Sequence, residues 1–185
     1  MRLLAVSAAL LLLGYPFAVY FGIHWLQPGV LGLMVVAVWT LRALLLAKTA
    51  QRRWQLGGLC ALAALTLWWL NSETLLLLLP AGIHLGGAAL FASSLRYPPT
   101  MPARMAARHY GLPLPPPVVA YTTWVTRIWV AFFLFNALLV TGIALWGSRE
   151  MWVLYNGLLA YFSVGALFIG EYLFRQCVFK RRHPL

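Results

Sequence analysis

Three ionisable residues fall inside or at the edge of apolar segments: Arg127, Glu171 and Arg175. Ionisable groups in a bilayer are costly, so each one needs a partner or a function. Glu171 precedes Arg175 by four residues, which places both on one helix face. Arg127 lies six residues beyond Tyr121, about 9 Å along a helix, at a depth similar to that of Glu171. The spacing allows the three to meet, either as an anion-binding site or as a structural ion pair between two helices.

A second candidate site is centred on His84, in the middle of an apolar segment that also contains Pro80, Gly82 and Gly86. Proline has no N–H to donate to the carbonyl of Leu76, so we expect the helix to be locally broken. Broken helices with a polar residue at the midplane bind substrates in transporters. The same pattern also fits a close-packing Gly-x-x-x-Gly motif with a neutral histidine bonded to the freed carbonyl.

Two asparagines are further polar candidates within apolar segments. Asn136 is seven residues after Trp129 and shares its helix face, whereas Arg127 points the opposite way. Asn156 belongs to a predicted face of small and polar residues on the last helix, made of Asn156, Ala160, Ser163, Gly170 and Glu171. Such a face packs against another helix or lines a polar cavity.

The acidic residues exclude several reaction classes. The chain has no aspartate and three glutamates, so two-carboxylate and carboxylate–metal mechanisms lack their ligands and bases. No nucleophile–base arrangement, metal site or cofactor site is recognisable, which favours a protein that is not an enzyme. The basic residues lie between apolar runs and form no groove with stacking aromatic residues, so the sequence indicates membrane lipids and not nucleic acid as partners.

The composition indicates how these residues are positioned. Of the 185 residues, 63% are hydrophobic and only 9% are charged, which is too few polar residues for a soluble surface. We predict an all-α polytopic membrane protein that forms a single domain, 1–185. Its six transmembrane helices are predicted at about 3–21, 30–46, 56–70, 74–95, 121–146 and 152–174. The tryptophans near helix ends are predicted to be interfacial anchors: Trp25, Trp54, Trp124, Trp146 and Trp152.

The charge distribution predicts the topology. All but one of the 14 basic residues fall on one side of this arrangement, which the positive-inside rule assigns to the cytoplasm. The exception is Arg149, expected to pair with Glu150. Both termini are therefore predicted to be cytoplasmic. The cytoplasmic residues are Arg2, Arg42, Lys48, Arg52, Arg53, Arg96, Arg104, Arg108, Arg127, Arg175, Lys180, Arg181 and Arg182.

The connection between the fourth and fifth predicted spans contains a short helix at about 102–110. Proline near its start and Gly111 after its end are typical helix boundaries. Arg104 and Arg108 are four residues apart and share a face, which we place on the cytoplasmic membrane surface. The following segment, 113–117, is rich in proline and is predicted to be extended and stiff.

A pattern of polar and aromatic residues over about 91–176 resembles a known family. The pattern comprises Ser94-Leu95-Arg96, Ala103-Arg104-x-Ala106, Tyr121-x-x-x-x-Thr126-x-x-Trp129, Phe132-Phe133-x-x-Asn136, Trp152-x-x-Tyr155-Asn156 and Glu171-Tyr172-x-x-Arg175. It is similar to the small multi-pass inner-membrane proteins encoded in bacterial aryl-polyene (xanthomonadin-type) pigment clusters. This chain has Ala103 where the family often has glutamate, and Thr123 where it often has arginine.

The resemblance implies a context in which acyl carrier proteins and other pigment or lipid biosynthesis proteins are partners at a bacterial inner membrane. The leading hypothesis is a scaffold that docks cytoplasmic acyl-carrier machinery through Arg104 and Arg108. A second hypothesis is a transporter or flippase for a lipophilic anion, for which so few helices would require a homodimer. A third is an intramembrane acyl or lipid transferase with His84 or Glu171 as base.

Overall fold

The computed structural model describes residues 14–46, 49–179 and 181, and within them the chain is helical with no β-strand. The all-α fold class is therefore confirmed for the described part. The helices are α1 (14–22), α2 (Pro28–Leu46), α3 (Ala50–Leu70), α4 (Glu73–Arg96), α5 (Met101–Tyr110), α6 (Pro116–Trp146), α7 (Arg149–Leu154) and α8 (Ala160–Phe174). Two π-helical turns, Tyr155–Leu159 and Arg175–Phe179, precede and follow α8.

Three helical segments in the described part are long and apolar enough to cross a membrane. They are Glu73–Arg96, Pro116–Trp146 and the segment Arg149–Phe179, which joins α7, α8 and both π turns. Large apolar side chains on them remain exposed, including Leu138, Phe162 and Ile169. Apolar residues that face outward are expected where the surrounding solvent is lipid and not water.

Several helices begin earlier than the apolar runs that predicted them. α3 begins at Ala50 instead of 56, and α6 begins at Pro116 instead of 121. Hydropathy detects the apolar part of a helix, whereas backbone hydrogen bonding continues through the polar turns beside it.

Part of the predicted topology lies outside the described residues. This applies to residues 3–13 of the first predicted helix and to four of the cytoplasmic cations: Arg2, Lys48, Lys180 and Arg182. The backbone is described for Arg42, Arg52 and Arg53, but their side chains are not.

The chain divides into two compact units. The first comprises Met1–Leu79 and Ile143–Leu158, and the second comprises Pro80–Gly142 and Leu159–Leu185. The core of the first unit contains five buried side chains: Tyr15, Val19, Leu31, Leu76 and Trp152.

The predicted break at Pro80 does not occur, because α4 continues through this residue. Proline still leaves the Leu76 carbonyl without its intrahelical donor. The hydroxyl of Tyr15 supplies the missing bond, donating to the Leu76 carbonyl oxygen over 3.1 Å. His84 is therefore not the partner of this carbonyl that one of the two interpretations of the pattern assumes. A side chain from another helix can satisfy the backbone group that proline leaves free.

Two predictions about residues near α7 are wrong. Arg149 pairs with Glu73 and not with Glu150, through a two-pronged contact of 2.6 and 2.7 Å. The planar guanidinium of Arg149 bonds both carboxylate oxygens of Glu73, and such a bidentate pair is stronger than a single contact. Glu150, its neighbour in the sequence, does not form this pair. Trp152 is not an interfacial anchor: it is 1% exposed, and its Nε1 donates to the Leu77 carbonyl over 2.8 Å.

An aromatic cluster joins α4, α6 and α8 within the second unit. The Trp129 ring lies 5.7 Å from Phe91 and 4.7 Å from Phe168, measured between centroids. Phe133 also contacts Phe91, and Gly87 allows this ring to approach the α4 backbone closely. Helix packing thus explains why large rings recur on this face of α6.

α5 is a separate, capped helix, as predicted. The Thr100 hydroxyl accepts a hydrogen bond from the Ala103 N–H, and Gly111 ends the helix at a φ of 74°. The prediction for 113–117 is wrong in part, because Pro116 is the first residue of α6. Proline fits the first turn of a helix, because the N–H groups of this turn have no intrahelical acceptor and the missing N–H costs no hydrogen bond.

Candidate functional site: an aromatic pocket beside Glu171

Glu171, near the end of α8, is a polar group that connects two helices of the second unit. Its Oε1 accepts a 2.7 Å hydrogen bond from the hydroxyl of Tyr121 on α6. The same hydroxyl lies 3.5 Å from the Glu171 carbonyl oxygen. The two bonds attach the first turns of α6 to the last turn of α8 and fix the carboxylate.

Arg175 forms the predicted ion pair with Glu171. Its Nε lies 3.3 Å from Glu171 Oε1, but the two groups are not aligned as a hydrogen bond. The side chain of Arg175 is 43% exposed and that of Glu171 is 21% exposed. Solvent screens the attraction between partly exposed charges, so such a pair adds little stability by itself. The pair instead orients the guanidinium. The guanidinium also lies over the ring of Tyr172, 5.7 Å from its centroid.

Arg127 does not join this pair, although the spacing allowed the three charges to meet. Its side chain is exposed, and among the described residues the ion pairs are Arg175–Glu171 and Arg149–Glu73. The predicted depth of Arg127 rests on a helix that begins at Tyr121. Tyr121 itself lies level with Glu171, and six residues of helix carry Arg127 about 9 Å further on and to another side.

Tyr121 also forms a wall of an open pocket of about 570 Å³. This volume is within the range of small-molecule sites. The lining is almost entirely apolar and is made of Pro116, Pro117, Ala120, Tyr121, Trp124, Phe174 and Phe179. Tyr121 stacks on Phe179 with centroids 4.4 Å apart and a 24° angle between the ring planes.

The second π turn builds this pocket. Phe174 and Phe179 are five residues apart, which is about one turn of a π-helix but well over one turn of an α-helix. Both rings consequently face Tyr121, at centroid distances of 6.2 and 4.4 Å. In a regular α-helix the two phenylalanines would point in clearly different directions.

Sequence reasoning missed the pocket residues. The sequence marks Tyr121 as a helix start and as part of the pattern that carries the family resemblance, Trp124 as an anchor, and Phe174 as the end of a span, and it assigns none of them to a pocket. It carries no recognisable signal for the π turn that brings Phe174 and Phe179 together. Aromatic residues close to a carboxylate in an apolar segment are a sequence pattern that could have indicated this region.

The two arginines of α5 are both exposed, as their shared face predicts. Arg104 Nε donates to the Pro99 carbonyl over 3.0 Å, which keeps this side chain close to the start of the helix. Ala103 is buried on the other side. α5 therefore presents two positive charges one turn apart on a helix anchored by its opposite face.

His84 has a different setting from the one predicted. Its ring lies 6.1 Å from Phe133, and its Nδ1 is buried without a hydrogen-bond partner among the described residues. A Cβ atom added at Gly82 or Gly86 would meet nothing within 4 Å in the described part of the chain. Within that part, the Gly-x-x-x-Gly motif is therefore not used for close packing.

The asparagines satisfy local backbone groups. Asn136 donates to the Phe132 carbonyl over 2.8 Å, and Asn156 donates to the Trp152 carbonyl over 2.9 Å. Both are buried. The predicted polar face of the last helix is interrupted, because the first π turn changes the direction of every later side chain and leaves Gly170 exposed.

Comparisons with known proteins do not assign the site. No protein-family model matches the chain, and no curated protein or solved structure shows significant similarity to it. Among the described residues, no group of three or more His, Cys, Asp or Glu side chains could hold a metal ion.

Proposed function

We propose that this chain is an accessory or scaffold component of a membrane system that makes or exports aryl polyenes or related lipids. In this role it docks cytoplasmic acyl-carrier machinery at a bacterial inner membrane through α5. The observation that supports the proposal is the exposure of Arg104 and Arg108 on one face of a capped helix that buries Ala103.

The proposal includes six transmembrane helices with both termini in the cytoplasm. The three long apolar segments supply half of these crossings, and α1, α2 and α3 would supply the others. In this topology α5 lies on the cytoplasmic side and Met151 on the opposite side. Single cysteines at Met105 and Met151, in a background without Cys60 and Cys177, should therefore be labelled from opposite sides; labelling from the same side would contradict the topology.

The physical basis of docking is electrostatic. An acyl carrier protein is acidic, and two exposed guanidinium groups raise its local concentration and its association rate. α5 holds these groups a fixed distance apart, so little side-chain and backbone freedom is lost on binding. Such attraction should weaken with ionic strength, because exposed charges are screened over about 8–10 Å at physiological salt.

The test uses the full chain in nanodiscs of zwitterionic lipid and a purified holo-acyl carrier protein as the probe. We expect Arg104→Glu/Arg108→Glu to reduce binding by about tenfold or more at low salt. Arg104→Lys/Arg108→Lys should retain most of the binding. Arg181→Glu, a charge reversal at another exposed residue, is the control and should have a smaller effect than Arg104→Glu alone. Unchanged binding by the doubly reversed variant would show that α5 is not the docking surface.

A transporter or flippase for a lipophilic anion is the alternative that one observation favours. The Nδ1 of His84 is buried without a partner among the described residues, which is uncommon for a buried polar atom, and the space beside Gly82 and Gly86 on the same helix is open. His84→Ala should then keep the protein folded but stop transfer of a fluorescent lipid anion across proteoliposomes. Transfer at the wild-type rate would exclude a role for this histidine.

A further inference from the structure

The aromatic pocket is a feature that docking through α5 does not explain. The second π turn interrupts the regular α-helical hydrogen bonding and brings Phe174 and Phe179 onto Tyr121. π turns inside helices are rare and often coincide with functional sites. The pocket that results is open and of ligand size, at about 570 Å³.

Arg175 provides a charge next to this apolar surface. It is the first residue of the π turn and lies between Phe174 and Phe179 in the chain, and both of these line the pocket. A guanidinium carries five N–H donors and cannot lose its charge in a protein. Its Nε lies 3.3 Å from Glu171 Oε1, its guanidinium lies over the ring of Tyr172, and its two terminal nitrogens make no hydrogen bond to the described residues.

Glu171 and Tyr121 act as positioning residues for this guanidinium. The 2.7 Å bond from Tyr121 fixes Glu171 Oε1, which in turn lies 3.3 Å from Arg175 Nε. The Nε edge of the guanidinium therefore lies beside a fixed carboxylate, and the terminal nitrogens keep their hydrogen-bond donors unused among the described residues.

We propose that the pocket binds a single-chain fatty acid from the bilayer, with its acyl chain on the aromatic walls and its carboxylate on the terminal nitrogens of Arg175. A planar, two-oxygen carboxylate matches the forked geometry of these nitrogens. α6 and the segment Arg149–Phe179 both qualify as membrane spans, and the pocket is open and lined by apolar residues of these two segments, which is the kind of surface that an acyl chain from the bilayer would occupy.

A cationic ligand fits the same residues less well. Cation–π recognition needs free ring faces around the charge, but the faces of Tyr121 and Phe179 are stacked on each other. The nearby carboxylate, Glu171, is already engaged by Tyr121 and Arg175. The available charge beside the pocket is therefore positive, and it selects an anion.

The test measures binding of three probes with the same chain and different head groups: oleate, methyl oleate and oleylamine. Purified full-length protein in zwitterionic nanodiscs is titrated with each probe, and the bound probe is counted by native mass spectrometry. Since hydrogen bonds to charged groups are the stronger class, we expect oleate to bind about tenfold or more tightly than methyl oleate. This comparison uses the wild-type chain and does not depend on the folding of a variant.

Substitutions separate the charged and apolar parts of the site. Arg175→Gln should lower oleate affinity to that of methyl oleate and leave methyl oleate binding unchanged. Phe179→Ala should weaken both probes alike. Tyr121→Phe should reduce the preference for oleate in part, because Glu171 loses its fixed position. The matched control, Arg181→Gln, removes one exposed charge outside the pocket and should change neither affinity.

Three results would overturn the proposal: equal affinity of wild-type protein for oleate and methyl oleate, stronger binding of oleylamine, or unchanged oleate selectivity in Arg175→Gln. The site is independent of docking through α5. Arg104→Glu/Arg108→Glu should keep full oleate binding, so failure of the docking proposal and failure of this one are separately visible.

Discussion

Tyr15 in the first unit and Tyr121 in the second donate a hydroxyl hydrogen bond to acceptors far along the chain, but in opposite surroundings. Tyr15 is buried and donates to the backbone carbonyl that Pro80 leaves free. Tyr121 is partly exposed, donates to the Glu171 carboxylate and forms the wall of an open pocket. The same chemical group completes a helix in one unit and orients an ion pair in the other.

The two polar clusters differ in whether their hydrogen-bonding groups all have partners. Around Tyr15, each polar group named has its partner, and the neighbouring rings and aliphatic chains exclude solvent. Around Tyr121, the guanidinium of Arg175 still has donors to spare among the described residues, and an apolar surface lies beside it. A saturated cluster stabilises a fold, whereas an unsaturated and accessible one can bind a ligand.

If the cluster around Tyr15 stabilises the first unit, the largest loss of stability is expected from a substitution at Trp152. Trp152→Ala removes a ring that is 1% exposed together with its bond to the Leu77 carbonyl. We expect a loss of about 3 kcal/mol in the free energy of unfolding, because the substitution leaves a buried cavity. The loss is not larger because, in a membrane, the unfolded chain keeps its apolar side chains in lipid and not in water. Unfolding in mixed micelles measures it. Trp146→Ala, at an 83% exposed ring, is the control and should change stability by less than about 0.5 kcal/mol.

A smaller effect is expected at Tyr15. Tyr15→Phe leaves the Leu76 carbonyl buried without a donor and should cost about 1–3 kcal/mol. Pro80→Ala restores the intrahelical N–H, so the double variant should recover most of that loss. Thermal unfolding of the two single variants and the double variant gives the coupling energy. Additive effects would show that Tyr15 does not replace the donor that Pro80 lacks.

The smallest effect is expected at the exposed ion pair of the first unit. Arg149 and Glu73 have side chains that are 44% and 33% exposed, so Arg149→Gln should cost no more than about 1 kcal/mol. The loss should shrink further when salt is added. A loss as large as that of Trp152→Ala, measured in the same micelles, would mean that this pair belongs to the core of the unit.

The sequence predicts the helices well because each is a long apolar run bounded by polar or proline-containing turns. The capped helix α5 is predicted nearly to the residue, since Pro102 and Gly111 act locally. The Glu171–Arg175 pair is also predicted, because four residues of helix place two side chains together whatever surrounds them. Each of these features depends on neighbours in the sequence.

The wrong predictions concern contacts between segments that are far apart in sequence. The position beside Glu171 that the sequence suggests for Arg127 is occupied by Tyr121, because the register of α6 against α8 depends on packing. Arg149 reaches Glu73 instead of its sequence neighbour Glu150. Composition and spacing cannot give the offset between two helices, and one turn of offset exchanges the partners.

Composition and spacing alone indicate an all-helical, strongly apolar chain with a short basic helix and a carboxylate–guanidinium pair near one end. Tertiary structure decided that Pro80 stays inside a continuous helix, since Tyr15 replaces its missing donor. It also decided that Phe174 and Phe179 face the same tyrosine, through a π turn that no local preference indicates. Local hydrogen bonding and hydropathy depend on residues that are neighbours in the sequence. The donor that completes the helix at Pro80 and the walls of the pocket come from segments that are brought together only by tertiary packing.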